Sequence, residues 1–315
     1  MKSPKFWQKK NFLSIVLYPL GLIYAKITTL RTKIVKPFKA DIPVICVGNL
    51  TAGGNGKTPV AISLANIFKK AGKKPFFVTR GYGGKLQDII VDETKHKAQD
   101  VGDEPLLLNK HANVIVNRQR DEAAKKAIKN GADVIIMDDG LQNPLLYKNK
   151  SLIVIDGAVG FGNEFPIPAG PLRELCKDGM NRAHAIIMLG EDKKNILNRF
   201  PYIPAFKGDV IPLKPEPQKD KAIAFAGIGR PQKFYQSLKE CGINVIKTFD
   251  FPDHHFYTNS ELQIIIKEAN KLQAEIFTTS KDMVKIPAEL QFHFKVLEIE
   301  IQWEDKKALQ QFLLN

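Results

Sequence analysis

Residues 43–72, PVICVGNLTAGGNGKTPVAISLANIFKKAG, run from a short β-branched strand through a glycine-rich turn into an amphipathic helix. Val60, Leu64, Ile67, Phe68 and Ala71 fall on one helical face, and Gly72 stands where the helix should end. Such a turn can cradle phosphates: glycines let successive backbone N–H groups point at phosphate oxygens, and the helix N-terminus adds a positive dipole. Thr51, Ala52, Gly53, Gly54, Asn55, Gly56, Lys57 and Thr58 are the candidate nucleotide-binding loop, with Lys57 reaching the β- and γ-phosphates and the Thr58 hydroxyl a ligand for Mg²⁺. Thr51 occupies the position where the strict G-x-x-x-x-G-K-[ST] pattern has glycine. A plain glycine turn accounts for the glycines but not for Lys57 and Thr58 together.

Outward from this stretch the same rhythm repeats. PFFVT (75–79), NVIVN (113–117), VIIMDDG (134–140), SLIVIDG (151–157) and AIIML (185–189) read as buried strands, and RDEAAKKAIKNG (120–131) as a helix closing at Gly131. This predicts an α/β fold, a P-loop-type parallel sheet with helices on both faces. VIIMDD delivers Asp138 and Asp139 to a strand's C-terminal end, where a P-loop protein holds its metal ion. Acids there are often turn formers, but with GKT in the same sheet they read as catalytic and Mg²⁺-binding.

After residue 200 the texture changes. PYIPAFKGDVIPLKPEPQKD (201–220) is rich in proline and charge, and a smaller alternation of strands and helices follows. The expected division is a P-loop lobe over 36–200, an inter-lobe linker over 201–214, a second α/β lobe over 215–298, and a strand and helix over 299–315 that could return to the first lobe.

Composition sets the outer limits. The 315 residues, 44% apolar and 25% charged, exclude a disordered or polytopic membrane chain. Cys46, Cys176 and Cys241 are in no metal-binding or disulfide spacing and point to a reducing compartment. The net charge is +14, but nine of the 47 basic residues lie before any acidic one, within residues 1–40; the remainder holds 38 basic against 33 acidic. A body so near balance offers no large nucleic-acid footprint.

Between the N-terminal basic clusters lies FLSIVLYPLGLIYA (12–25), interrupted by Pro19 and Gly21. At ~1.5 Å per residue its length is about 21 Å, short of a ~30 Å hydrocarbon core. A signal peptide, a core helix and a membrane-interface helix over 1–35 are the alternatives. The aromatic residues Phe6, Trp7, Tyr18 and Tyr24 and the one-signed flanks favour the last, lying on anionic lipid.

VGNLTAGGNGKTP, TRGYGG, VGDEPLLL, DDGLQ, GFGNEFPIPAGPLRE, FAGIG, FPDHHFY and TTSKDMVK, in this order across 47–285, resemble the tetraacyldisaccharide 4′-kinase (lipid A 4′-kinase) family of Gram-negative bacteria. The resemblance implies transfer of the γ-phosphate of ATP, with Mg²⁺, to the 4′-hydroxyl of a tetraacylated glucosamine disaccharide 1-phosphate, giving lipid IVA, at the cytoplasmic face of the inner membrane, with the N-terminal helix retained. It makes the departure at Thr51 unremarkable, since that family also lacks glycine there. It places Asp103 as the base and His254, after Asp253, as its partner, whereas Asp103 and Glu104 before Pro105 alone would read as helix-capping acids. Glu104, Gln142 and Arg173 are candidates for binding substrate, Arg173 through its planar donor fork or else as a solvated surface cation. Arg80, Arg118 and Arg120 are weaker versions of that idea. Asn143 stands where the family usually has histidine. Another membrane-surface P-loop ATPase or a non-catalytic P-loop adaptor is the competing reading. A partition-type ATPase needs lysine where Ala52 stands, a GTPase needs N-K-x-D, and no G-x-G-x-x-G opens a helix for a dinucleotide.

Overall fold

A computed structural model describes residues 4–54 and 56–315; Asn55 of the glycine-rich loop lies outside the described residues. In chain order the strands are β1 (Val44–Gly48), β2 (Pro75–Thr79), β3 (Ile89–Ile90), β4 (Asn113–Val116), β5 (Val134–Asp138), β6 (Lys150–Asp156), β7 (Ala185–Leu189), β8 (Ala205–Pro212), β9 (Ala222–Ala226), β10 (Val245–Asp250), β11 (Glu275–Thr279), β12 (Lys295–Leu297) and β13 (Ile299–Trp303). Among the described residues they form a nine-stranded sheet, β13-β8-β7-β6-β1-β5-β2-β4-β3, and a four-stranded sheet, β10-β9-β11-β12. The inner strands of the larger sheet are parallel, while its two edge strands, β3 and β13, are antiparallel to their neighbours.

The helices are α1 (Phe12–Ile34), α2 (Lys57–Lys70), α3 (Ala98–Val101), α4 (Asp103–Asn109), α5 (Arg120–Lys129), α6 (Cys176–Met180), α7 (Ile196–Arg199), α8 (Pro231–Glu240), α9 (Asn259–Leu272), α10 (Ser280–Met283) and α11 (Lys306–Leu314). Every residue of β1, β2 and β5 is buried, because helices cover both faces of the sheet. Ile45 and Val47 meet Val60, Leu64, Ile67 and Phe68 of α2 on one side, and Val44 and Cys46 share the opposite layer with Ala123, Ala124 and Ala127 of α5. Burying each large side chain on α2 contributes about 1.5–3 kcal/mol. That burial fixes the helix whose first residues are Lys57 and Thr58.

One boundary differs from expectation. Residues 205–212, expected within a linker, form β8, parallel to β7 and antiparallel to β13, so most of the 201–214 segment belongs to the large sheet. Its prolines punctuate the ends of the strand, and only Gly208 within it is fully buried, so the run lacks the apolar signature of its neighbours. The C-terminal β13 and α11 return to the first lobe, where Trp303 Nε1 donates to Ser63 Oγ of α2 at 2.8 Å.

α1 also runs longer than the apolar stretch from 12 to 25. It covers 23 residues, carrying Pro19, Lys26, Arg31 and Lys33 within it, and by length and composition alone could cross a membrane. The shorter reach expected from the sequence came from stopping at Lys26, whose charge interrupts the apolar pattern but not the backbone ladder. One face of α1 is docked on the body. Ser14, Gly21 and Ala25 are buried, Tyr18 packs on Phe165 with ring centroids 4.4 Å apart, and Thr29 Oγ1 donates to Asp178 at 2.9 Å. Gly21 is required there, since a Cβ would lie 2.7 Å from the Pro166 carbonyl oxygen. The other face is open, with Ile15, Val16, Leu20, Ile23, Ile27 and Leu30 all exposed.

Candidate active site

The glycine-rich loop leaves β1 and turns into α2 through Gly56, which is left-handed at φ 82°. Its first half is stitched to the body. Thr51 N donates to Asn49 Oδ1 at 2.7 Å, Ala52 N donates to the Pro171 carbonyl at 2.8 Å, and Arg173 N donates to the Leu50 carbonyl at 2.7 Å. The N–H groups of Thr51 and Ala52, expected to face phosphate, are therefore already committed within the protein. Gly53, Gly54, Gly56, Lys57 and Thr58 line a cleft of about 2000 Å³ between the lobes.

Asp138 and Asp139 arrive at the end of β5, next to the loop at the end of β1, because β1 and β5 are neighbours in parallel register. The Thr58 hydroxyl donates to Asp138 Oδ2 at 3.3 Å, while Asp138 Oδ1 is buried without a hydrogen-bond partner among the described residues. Burial, followed by the nearby Glu104 charge, pushes the Asp138 carboxyl up to about 7. An orphaned buried carboxylate oxygen beside a hydroxyl suits a divalent cation that takes its other ligands from phosphate and water. No cluster of three or more His, Cys, Asp or Glu side chains able to hold a metal occurs among the described residues.

Asp139, left-handed at φ 54°, turns the other way. It receives Arg173 Nη1 at 2.7 Å and lies 3.7 Å from Lys57 Nζ. Burial works to raise its carboxyl, but Lys57 and Arg173 outweigh it and hold it at about 2. Arg173 is thus not a loosely solvated cation. Gln142 connects this pair to a second layer, its Nε2 donating to Glu174 at 2.9 Å and to the Asn49 carbonyl at 3.0 Å. Glu174 is wholly buried, and both of its oxygens accept from Arg182 Nη2, at 2.6 and 2.7 Å. Arg120 is buried among Asp138, Asp139 and Arg80, while Arg80 and Arg118 line the cleft.

The second lobe supplies the opposite wall. His254 Nδ1 and Asp103 Oδ2 are 2.9 Å apart across the cleft. Asp103 begins α4, and its other oxygen, Oδ1, accepts the Glu104 N–H at 2.9 Å, so one carboxylate both ties the helix start and faces the histidine. Burial works to raise the Asp103 carboxyl, but the His254 hydrogen bond and charge bring it below the usual carboxylate range. The same hydrogen bond raises the His254 imidazole against the opposing effect of burial.

The tetraacyldisaccharide-1-P 4′-kinase family model matches residues 13–315. The chain belongs to that family. It is similar to the tetraacyldisaccharide 4′-kinase of Paramagnetospirillum magneticum, 43% identical with 98% of this chain and 97% of that protein aligned. It is also similar to that of Rhodospirillum rubrum, 42% identical over 98% of this chain and 96% of that protein. The crystal structure of LpxK from Aquifex aeolicus in complex with ATP is 27% identical, with a TM-score of 0.77 and coverage of 96% of this chain and 99% of that one.

Within this member of the 4′-kinase family, Asn143 is a turn former: its Oδ1 accepts the Leu145 N–H at 3.0 Å. Several residues that sequence reasoning left without a role also reach the cleft. Lys281 Nζ meets Glu104 at 2.6 Å from the second lobe, and Arg230 and Lys233 both pair with Asp156 at the end of β6, at 2.8 and 3.0 Å. The Tyr82 ring lies 5.6 Å from that of His254. Tyr82 and Lys281 stand inside TRGYGG and TTSKDMVK, but nothing in the linear order says which groups oppose them.

Proposed function

We propose that this chain phosphorylates the 4′-hydroxyl of a tetraacylated glucosamine disaccharide 1-phosphate with ATP, giving lipid IVA in lipid A biosynthesis. The observation that carries the reading is the Asp103–His254 pair, 2.9 Å apart, facing a cleft whose other wall holds Lys57, Thr58 and Asp138. A sugar hydroxyl must lose its proton as it attacks, and Asp103 is the base that receives it, oriented and charge-balanced by His254. Lys57 neutralises the β- and γ-phosphates, and Arg173 holds Asp139 in place. Mg²⁺ would supply positive charge to offset the charge that develops on the transferring phosphate. Thr58 and Asp138 would hold it, with Asp139 beside them. Gln142 and Glu104 act by bracing Arg173 and the second lobe respectively, rather than by gripping the acceptor.

The acceptor is a lipid, and the same cleft is lined by Tyr24, Thr28 and Arg31 of α1. We place α1 flat at the membrane interface, its docked face on the body and its open apolar face in lipid, on the cytoplasmic side where ATP is available. Lysines and arginines at both ends of the helix meet anionic headgroups. Incubating the purified protein with radiolabelled ATP and tetraacyldisaccharide 1-phosphate in detergent micelles, then separating lipids by thin-layer chromatography, tests the activity. No labelled lipid from the folded protein with Mg²⁺ present sinks the proposal.

A further inference from the structure

FAGIG (225–229) and TTSKDMVK (278–285) carry few of the residues assigned above, yet they meet behind His254. Asp282 is fully buried at the centre of that meeting. Its Oδ2 accepts the Gly227 N–H at 3.1 Å and the Thr279 hydroxyl at 2.7 Å; its Oδ1 accepts the Tyr257 hydroxyl at 2.9 Å and lies 2.7 Å from the buried Lys285 ammonium. The Gly227 N–H and the Lys285 ammonium can only donate, and both hydroxyls donate to the carboxylate here, so the site is built for an anion.

The Gly227 backbone is held through both of its polar groups. Its N–H goes to Asp282, and its carbonyl accepts the His254 N–H at 3.1 Å; one residue earlier, the Ala226 carbonyl accepts the Phe251 N–H at 3.0 Å. A side chain at 227 would have its Cβ 3.0 Å from the Tyr257 hydroxyl and 3.2 Å from Asp282, so the close approach of peptide to carboxylate needs glycine. His254 itself is left-handed at φ 59°, a conformation a histidine holds only when its surroundings impose it.

We infer that Asp282, with Tyr257, is a positioning residue that acts through the backbone of Gly227 to aim His254 at Asp103. The inference rests on the proposed role of the Asp103–His254 pair in phosphoryl transfer. A buried ion pair serving stability alone would need only Lys285. The additional Gly227 and Tyr257 bonds connect Asp282 to the backbone segment that carries the histidine.

The test combines Asp282→Asn and Tyr257→Phe in the full chain in detergent, with ¹³C-labelled histidine and NMR titration of His254. The groups facing that imidazole are Asp103, Asp253 and Lys281, with the Tyr82 ring alongside. Loss of the Asp103 hydrogen bond lowers the His254 titration toward that of a free imidazole. Both variants should show this, with kcat down roughly tenfold or more and the KM for ATP nearly unchanged, since misplacement by about an ångström acts on the transition state. Asp282→Asn also leaves Lys285 unbalanced, which alone could lower the titration, but Tyr257→Phe alters no charge at neutral pH. A His254 titration unmoved in folded Tyr257→Phe overturns the inference, as does a fall in kcat without that movement. Should Asp282→Asn fail to fold, Tyr257→Phe decides by the same readout. His254→Ala with full activity instead removes the pair from the reaction, an outcome separate from whether Asp282 aims the ring.

Discussion

Glu104 and Lys281 meet at 2.6 Å across the two lobes, directly beside the Asp103–His254 pair. α4 therefore presents two acids to the second lobe, where Lys281 of α10 and His254, from the turn between β10 and α9, meet them. The Glu104 charge also bears on Asp138, whose carboxyl it helps to raise, so the interlobe contact and the proposed cation site share an electrostatic neighbourhood. Lys281→Ala should weaken the approach of the lobes while leaving each lobe's core intact. Steady-state kinetics should give a several-fold loss in kcat/KM with a melting temperature lowered by only a few degrees, the scale of about 1 kcal/mol for a half-buried ion pair. A wild-type kcat/KM would show that the pair is incidental to turnover.

Lys57→Ala and Thr58→Ala should each lower kcat by about 10³-fold or more, the first by removing the charge that faces the phosphates and the second by removing the hydroxyl beside Asp138. Near-normal turnover by either folded variant ends the P-loop mechanism. Because α2 is anchored by Val60, Leu64 and Phe68, neither change should alter the melt by more than about 1 kcal/mol.

Asp103→Asn and Asp103→Ala separate two roles of one side chain. Asparagine keeps an oxygen for the Glu104 N–H and alanine does not, so the asparagine variant should melt about 1 kcal/mol higher than the alanine variant. Both should lose about 10²-fold in kcat with little change in ATP affinity, because each lacks the proposed base. A fully active asparagine variant would reduce Asp103 to a helix-start residue.

The interlobe pair also sets a pH window. His254 titrates higher in the folded chain than free imidazole, so its contribution is fully present below the ordinary imidazole range and is lost as pH rises through the raised value. Asp103 titrates below its ordinary range, so its contribution is present above that range and is lost as pH falls through the lowered value. The stability difference between wild type and His254→Ala should therefore be larger at about pH 5.5 than at about pH 9 in thermal melts. An equal difference at the two pH values would mean that the charged pair contributes nothing to holding the lobes.

Ile23→Asp with Ile27→Asp places charge on the open face of α1, where both residues are 57% exposed. Co-sedimentation with anionic vesicles should drop at least tenfold while the melt in detergent-free buffer stays within about 0.5 kcal/mol, because no contact with the body is lost. Gly21→Val should do the reverse, forcing the helix off the Pro166 carbonyl and lowering the melt. Vesicle binding indifferent to the two aspartates would return α1 to a body-packing role.

The amino-acid sequence by itself determined the parts whose physics is local. The alternation of strand and helix, the GKT turn at the start of an amphipathic helix, Asp138 and Asp139 at a strand end, and the basic apolar N-terminus all follow from periodicity and from residues a few positions apart. The resemblance carried by motifs such as GPLRE and VGDEP extended this to Asp103 and His254. Only the tertiary structure decided what is opposite what: that Asp103 reaches a histidine 151 positions away, that Glu104 finds Lys281, and that Arg173 grips Asp139 rather than solvent. It also turned an expected linker into β8, since a half-exposed strand without an apolar run is specified by its partners β7 and β13 and not by its own side chains. α1 continued past Lys26 for a related reason: a helix can carry charged residues on its faces without losing its backbone hydrogen bonds, so hydropathy marks where apolar sequence ends, while docking against the body marks where the helix does.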